Sequence, residues 1–310
     1  KNKLYHPQFN LRVSLVEDNI FNLEKSTPIK DLLSSKSFFK INPVTYNADP
    51  FLFVNADTLY LFYEEQIRLG GKGIIKMICT RDLKNWSKPI TVLDEKYHLS
   101  YPNVFQYENN IYMLPETGDD YSVKLFRPTT DLKKWSFHKT LLSGKKYVDS
   151  SIIFKNDVYY LFTSIYENGD YKLMLYMSRK IDGEYEIHPC SPIAHGKNNG
   201  RCGGSVFEYE NKLYRPTQLC ESYYGEGLKI NEITTLSEMR YSEDVVFDRI
   251  IPNSLNFYLI GGHHFNYCNF IGNIITATDG LSRNYNLWEI CRRLSNILMN
   301  GITNFAGTKS

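Results

Sequence analysis

The sequence predicts an all-β fold: a five-bladed β-propeller in one domain, followed by a short C-terminal helix. Three observations predict it. A phrase of two short apolar runs split by a polar turn, NADPFLFVNADTLYLFYEE at residues 47–65, returns three times. The later copies are YPNVFQYENNIYMLPE at 101–116, VDSSIIFKNDVYYLFT at 148–163 and GGSVFEYENKLYRPTQ at 203–218. Aligned on Leu59, Ile111, Val158 and Leu213, they lie 52, 47 and 55 residues apart, a spacing that suits four-stranded propeller blades. Aromatic residues reach 15%, with 24 Tyr and 18 Phe, which favours strands and leaves rings to line a sugar site.

The elements follow in order. In LRVSLVEDN, Leu11, Val13 and Leu15 alternate with polar neighbours, which predicts a strand within 9–19. Residues 25–44 contain PIKDLLSSK, read as a short helix. The blades are expected at 45–98, 99–144, 145–195, 196–250 and 251–280. In the first four, the repeated pair of strands leads into a third: GIIKMICT, SVKLFRPT, YKLMLYMS or GLKINEIT. A turn and an outer strand follow in the first three, at RDLKNWSKP, TDLKKWSFH and IDGEYEIHP. Trp86, Trp135 and Tyr185 hold matching places there and are expected to pack one sheet on its neighbour. The fifth unit, NFYLIGGHHFNYCNFIGNIITATDG at 256–280, holds only two or three strands. Borrowing the N-terminal strand would close the ring and protect its edges. In 281–310, Leu287, Ile290, Leu294, Ile297 and Leu298 share one helical face ahead of Gly301, which predicts the C-terminal helix and a tail.

Composition narrows the function. A net charge of +2 with 23% charged residues gives no basis for a nucleic-acid partner, and no apolar run is long enough for membrane insertion. The six cysteines are scattered, without CxxC pairs or His at zinc-finger spacing, so neither a metal nor another cofactor is expected. Free thiols and the lack of a signal-peptide pattern lead to an expected cytoplasmic location.

In a propeller the inner strands start at one mouth, so equivalent blade positions meet in space. Asp49 opens the first copy, Tyr101 and Asn103 the second, Asp149 the third, and Arg201 with Gly203 and Gly204 the fourth. The second strands end at Glu64, Glu116, Thr163 and Gln218, and a hairpin returns these ends to the same mouth. His263 and His264 are expected to join from the last blade. Carboxylates gathered around one channel suit glycosidic chemistry, in which one carboxyl gives a proton and another accepts one. Each residue also has an ordinary reading. Asp49 could start a strand before Pro50, Glu116 could be an exposed loop acid, and Asp149 could bond backbone N–H groups. Arg201 could hold a carboxylate, the His pair could be packing, and Glu64 or its neighbour Glu65 could be solvated.

At ADPF, YVDSS and the repeat skeleton, the chain resembles the five-bladed glycosidase superfamily that includes glycoside hydrolase family 43. That resemblance implies Asp49 as general base and Asp149 as the residue that tunes pKa and position. The family's general acid lies one blade later, where this chain has GRCGGSVF and no Glu; Glu116 lies one blade earlier. SYPNVFQYENNIYMLPET, YVDSSIIF, GGSVFEYENKLYRPTQ, YYGEGLKINEIT and GGHHFNY are similar to the N-terminal domain of plant glucosamine inositolphosphorylceramide transferases and bacterial relatives. This second resemblance implies a glycosidase-like fold and fusion or association with a glycan-modifying domain.

Two functions follow. The first is a carbohydrate-active enzyme of surface-glycan metabolism. Glu116 protonates the leaving oxygen, Asp49 activates water, a sugar or a phosphate, and Asp149 orients. Glu64, Tyr101, Asn103, Arg201, Gln218, His263 and His264 bind a carbohydrate or sugar-phosphate ligand. The second is a non-catalytic module that binds a glycan or a partner protein through the same mouth.

Overall fold

A propeller strand near the axis is covered by a neighbouring blade on each face, whereas an outer strand meets solvent. Burial along the chain follows this gradient. VYYLFTSI in the third blade is buried at every position, while YSEDVVF at the rim of the fourth is exposed or half-exposed throughout. The computed structural model describes residues 6–33, 45–67, 71–251 and 256–284.

The first two strands, β1 (His6–Val16) and β2 (Thr27–Leu32), belong to the last blade. Blade one comprises β3 (Thr45–Asn55), β4 (Thr58–Ile67), β5 (Gly73–Thr80) and β6 (Ile90–Leu93). Blade two comprises β7 (Ser100–Tyr107), β8 (Asn110–Thr117), β9 (Ser122–Pro128) and β10 (Trp135–Ser143). Blade three has β11 (Tyr147–Lys155), β12 (Val158–Glu167) and β13 (Asp170–Ser178), with β14 (Glu186–Ile187) and β15 (Ala194–His195) both paired to β13. Blade four has β16 (Phe207–Tyr209), β17 (Lys212–Leu219), β18 (Gly227–Leu236) and β19 (Tyr241–Phe247). The ring closes with β20 (Phe265–Phe270) and β21 (Asn273–Asn284), in the sheet order β2-β1-β21-β20.

The closing blade therefore takes two strands from the N-terminus where the sequence suggested one. PIKDL forms most of β2 and is not helical. Its pairing with β1, reinforced by a two-pronged ion pair from Arg12 to Asp31 at 2.8 and 2.7 Å, outweighs local propensity. Residues 34–44 and the expected helix around Leu287–Leu298 lie outside the described residues. No described helix is long and apolar enough to cross a membrane.

Apolar clusters fill the seams between blades. Phe62, Met77, Phe126 and Trp135 join blades one and two, with the Phe62 and Trp135 rings edge to face at 5.9 Å. Trp86, Trp135 and Tyr185 play parallel parts. Each packs against a seam cluster and hydrogen-bonds through its polar tip to a backbone oxygen, of Leu83, Leu132 and Ile181 respectively.

Closure from the N-terminus makes a testable claim. Leu11 is fully buried beside Leu52, Leu59, Phe270 and Ile275. Leu11→Ala is expected to cost about 2–5 kcal/mol in urea unfolding, as for any core leucine. A loss below about 1 kcal/mol would mean that β1 only rests on the ring.

Candidate active site

Five two-residue hairpin turns set the site's register. They lie between Asn55 and Thr58, Tyr107 and Asn110, Lys155 and Val158, Tyr209 and Lys212, and Phe270 and Asn273. Positive φ at Ala56, Glu108, Asn156, Asp157, Glu210, Asn211, Ile271 and Gly272 suits such tight turns. Counting from the residue that closes each turn, equivalent second-strand positions are Glu64, Glu116, Ser164, Gln218 and Asp279. The third-blade residue is thus Ser164 and not Thr163, because Val158 itself closes its turn, as Thr58 does.

The first strands share a second device. β3, β7 and β11 each carry a bulge, between Ala48 and Phe51, Ser100 and Asn103, and Val148 and Ser151. Its leading residue is left-handed: Asp49 at φ 52°, Tyr101 at φ 49° and Asp149 at φ 51°. Such backbone costs roughly 1–3 kcal/mol per residue, and a bulge re-aims the side chain it carries. Asp49 and Asp149 are thereby turned inward, 4% and 2% exposed.

A cavity of about 510 Å³ opens at this mouth. Of the ten residues expected there, Asp49, Glu64, Glu116, Arg201 and His263 line it. Tyr101, Asn103, Asp149, Gln218 and His264 are buried but are not among its lining residues. Their contacts support the wall. Gln218 Nε2 donates to Asp149 Oδ2 at 3.0 Å and to the Cys202 carbonyl at 2.7 Å. Tyr101 donates its backbone N–H to Asp49 Oδ2 at 3.1 Å, and its hydroxyl accepts from Gly204 N–H at 3.2 Å. Asn103 Nδ2 is buried without a hydrogen-bond partner. Glu65, the alternative to Glu64, turns outward to Lys76.

Asp49 is held as an anion. Burial works against its charge, but His264, His263 and Arg201 outweigh it and bring the pKa down to about 2. His263 Nε2 and His264 Nδ1 lie 3.4 and 3.5 Å from Asp49 Oδ1. Behind them, fully buried Asp279 accepts the backbone N–H groups of His263 and His264 at 2.7 and 3.0 Å. Its Oδ2 is 2.6 Å from His263 Nδ1. Burial alone would lower the His263 pKa, but Asp279 and Asp49 raise it overall. Asp49, His263 and Asp279 also bring ligand atoms within 4.8 Å of one another, the described grouping that could hold a cation.

Glu116 is pushed the opposite way. Burial first, then the charges of Asp149 and Asp49, raise its pKa to about 8, although Arg201 opposes them. Glu64 is raised well above the carboxylate range by burial and by Asp49, Glu116, Asp149 and Asp279. Asp149 itself is bonded through Oδ2 to Arg201 Nε. The guanidinium lies 4.9 Å from the Tyr224 ring and 5.4 Å from the Tyr171 ring, so two aromatic faces steady it.

Blade four's missing acid has a steric cause. A Cβ on Gly203 would stand 2.2 Å from Leu228 Cδ2 and 2.8 Å from the His263 carbonyl oxygen. Gly204, at φ 147°, would put one 2.0 Å from the Phe265 carbonyl oxygen. The backbone of the last blade occupies the space a glutamate would need.

Sequence reasoning missed Asp279, His98 and the rings of Phe9, Tyr46, Tyr223 and Tyr224, all of which except Asp279 line the cavity. Asp279 was findable, since it stands as far beyond its turn as Glu64 and Glu116 do. His98, Tyr223 and Tyr224 come from loops and Phe9 from the borrowed strand, which the repeat does not index, while Tyr46 stands in β3 just ahead of the repeated phrase.

Comparison with known proteins agrees with this architecture. Among solved structures, the catalytic domain of a GH62 α-L-arabinofuranosidase from Coprinopsis cinerea is 11% identical, with a TM-score of 0.55 over 75% of this chain and 90% of that one. A family 117 glycoside hydrolase from Zobellia galactanivorans is 12% identical, with a TM-score of 0.53 over 82% and 90%. At such identities the likeness shows the fold. The curated relatives glucosamine inositolphosphorylceramide transferase 1 of Oryza sativa subsp. japonica and of Arabidopsis thaliana are each 35% identical over 210 residues, 65% of this chain. The match spans only 28% and 27% of their lengths. The model of the family described as glucosamine inositolphosphorylceramide transferase 1, N-terminal, matches residues 26–257. The fold is that of these propellers, and the chain belongs to that N-terminal family.

Proposed function

We propose that this domain is a carbohydrate-active enzyme that cleaves or transfers a glycosyl group by carboxylate acid–base chemistry. The observation that carries the reading is the opposed pair on one cavity wall: Asp49 near 2 and Glu116 near 8. Two carboxyls driven apart in this way are an acid and a base at neutral pH. Glu116 gives its proton to the glycosidic oxygen as the bond from that oxygen to the anomeric carbon breaks. Asp49 takes a proton from the acceptor hydroxyl or water as the acceptor oxygen bonds to that carbon. The leaving group departs neutral, and proton exchange with solvent resets both carboxyls. Asp149 is the positioning residue, since it fixes Arg201 on the wall. The rings of Phe9, Tyr46, Tyr223 and Tyr224 offer apolar faces to a sugar. The curated relatives' names speak of glucosamine and inositolphosphorylceramide, which adds amino sugars and inositol-phosphate glycans to the substrates worth testing.

A second reading, a glycan-binding module, draws on one observation: blade four has glycines where the glycosidase resemblance calls for an acid. A panel of glycans and sugar nucleotides, scored for binding and turnover together, separates the two. Glu116→Gln and Asp49→Asn are each expected to retain binding and to lose about 10²–10⁴ in kcat. Binding without turnover in wild type and both variants would leave the module. If the enzyme reading holds, kcat is expected to fall as pH rises through about 8, where Glu116 gives up its proton.

The same group makes a prediction that needs no substrate. The folded protein keeps the Glu116 proton up to about 8, whereas the unfolded chain releases it near 4.5. The native state therefore binds more protons in that window, and this contribution to stability declines as pH rises through it. Glu116→Gln, which mimics the protonated form, is expected to gain stability relative to wild type between about pH 5 and pH 8 in urea unfolding. A pH-independent difference would show that Glu116 titrates as an ordinary carboxyl.

A further inference from the structure

Glu64 shares the wall with Asp49 and Glu116, but it has a partner that they lack. Its Oε1 lies 3.3 Å from Nε2 of His98, which sits in the loop between β6 and β7. The other ring nitrogen, Nδ1, accepts the backbone N–H of Gly73 at 2.8 Å. A ring nitrogen accepts only when it carries no proton, so the imidazole proton is on Nε2, facing Glu64. Burial lowers the His98 pKa and Lys146 acts with it, against Asp119 and Asp49, so the ring stays neutral at neutral pH.

Gly73 completes the arrangement. A Cβ there would stand 2.3 Å from the Leu99 carbonyl oxygen, 2.7 Å from Glu64 Oε1 and 2.8 Å from His98 Cε1. Leu99 N–H in turn donates to the Gly73 carbonyl at 3.1 Å, which holds the two segments in register. Only a residue without a side chain lets the imidazole reach the carboxyl.

We propose that His98 is a positioning residue for Glu64: its Nε2–H occupies Oε1, so Oε2 carries the carboxyl proton and offers it as a hydrogen bond to a sugar oxygen in the cavity. The inference rests on the carbohydrate reading above for its ligand, and on the wall geometry alone for the pairing. The charged groups that act on Glu64 are Asp49, Glu116, Asp149 and Asp279, all of which favour its protonated form after burial has done so. A carboxylic acid held at one oxygen presents its O–H in one direction, and a sugar site needs that directionality to select among ring hydroxyls.

Nuclear magnetic resonance on the whole domain tests this without a substrate. Long-range ¹H–¹⁵N spectra report the imidazole tautomer, and a ¹³C-labelled glutamate carboxyl signal, assigned by its loss in Glu64→Gln, reports titration. Wild type is expected to show neutral His98 protonated on Nε2 from about pH 6 to about pH 8. His98→Asn keeps an acceptor for Gly73 and loses the donor to Glu64. That donor favours the ionised carboxylate, so the Glu64 titration is expected to rise by about one pH unit. His98→Gln keeps a donor near the Nε2 position and is expected to move it by less than about half a unit. A proton on Nδ1 in wild type, or a shift caused by the Gln variant and not by the Asn variant, would overturn the proposal. Expected spectra with no ligand found in the sugar panel would sink the carbohydrate reading while the pairing stands.

Discussion

The ring depends on how it disposes of backbone N–H groups freed at its bulges. Each bulge leads with a left-handed residue whose N–H cannot join the ladder of its own hairpin, and a buried unpaired N–H is costly. In three successive blades a carboxylate of the preceding blade supplies the acceptor. Asp279 faces the N–H of Asp49 at 3.4 Å, Asp49 accepts from Tyr101 at 3.1 Å, and Glu116 faces the N–H of Asp149 at 3.4 Å. Uncharged side chains continue the practice, with Asn266 accepting from Leu52 and Ser151 from Val206. The blades are sewn together at the mouth by the groups that would do chemistry there.

This double duty separates the carboxylates. Asp279 receives two backbone N–H bonds and lies against a histidine, and Asp149 has Arg201 and Gln218, so both have donors engaged on their oxygens. Asp49 is satisfied as an anion, yet it remains on the cavity wall. Glu116 has the long contact to Asp149 N–H and the Asp149 carboxyl beside it, and no ion pair reaches it among the described residues. A structural acid would be expected to have its charge compensated by the fold. Glu116 is buried among other carboxylates and Arg201 offsets them only in part, which is the condition that makes a carboxyl a proton donor near neutrality.

What could be read from the sequence was whatever the hairpin repeats. The apolar skeleton, the two-residue turns and the positions of Asp49, Glu64, Glu116 and Asp149 all follow from counting along one hairpin. Counting failed where a copy was shifted or broken. Val158 closes its turn where Leu59 follows one, which displaced the third-blade position by one residue. In the fifth blade the turn residues Ile271 and Gly272 do not resemble ND or EN, and this hid Asp279. β2 was read as a helix because its partner β1 is the only reason for it to be extended. The split between wall and support was also illegible. Tyr101 and Asp149 share a bulge position with Asp49, but backbone direction within each blade decides which side chain meets the cavity.

Blade four shows how the last strands settle the chemistry of the earlier ones. Its inner strand is the shortest of the five, Phe207–Tyr209, because the chain before it is committed to the neighbouring blade. Gly203 accepts from Phe265 N–H at 2.8 Å and donates to the Pro216 carbonyl at 2.9 Å, so its backbone bridges two blades at once. That bridge brings His263 and His264 close enough to hold Asp49 ionised, and it leaves no volume for a side chain on the glycines. A proton donor in blade four and the histidine clamp on Asp49 therefore compete for the same space. With the clamp in place, the donor has to come from another blade, and Glu64 and Glu116 are buried acids of the cavity that form no ion pair with Lys or Arg among the described residues.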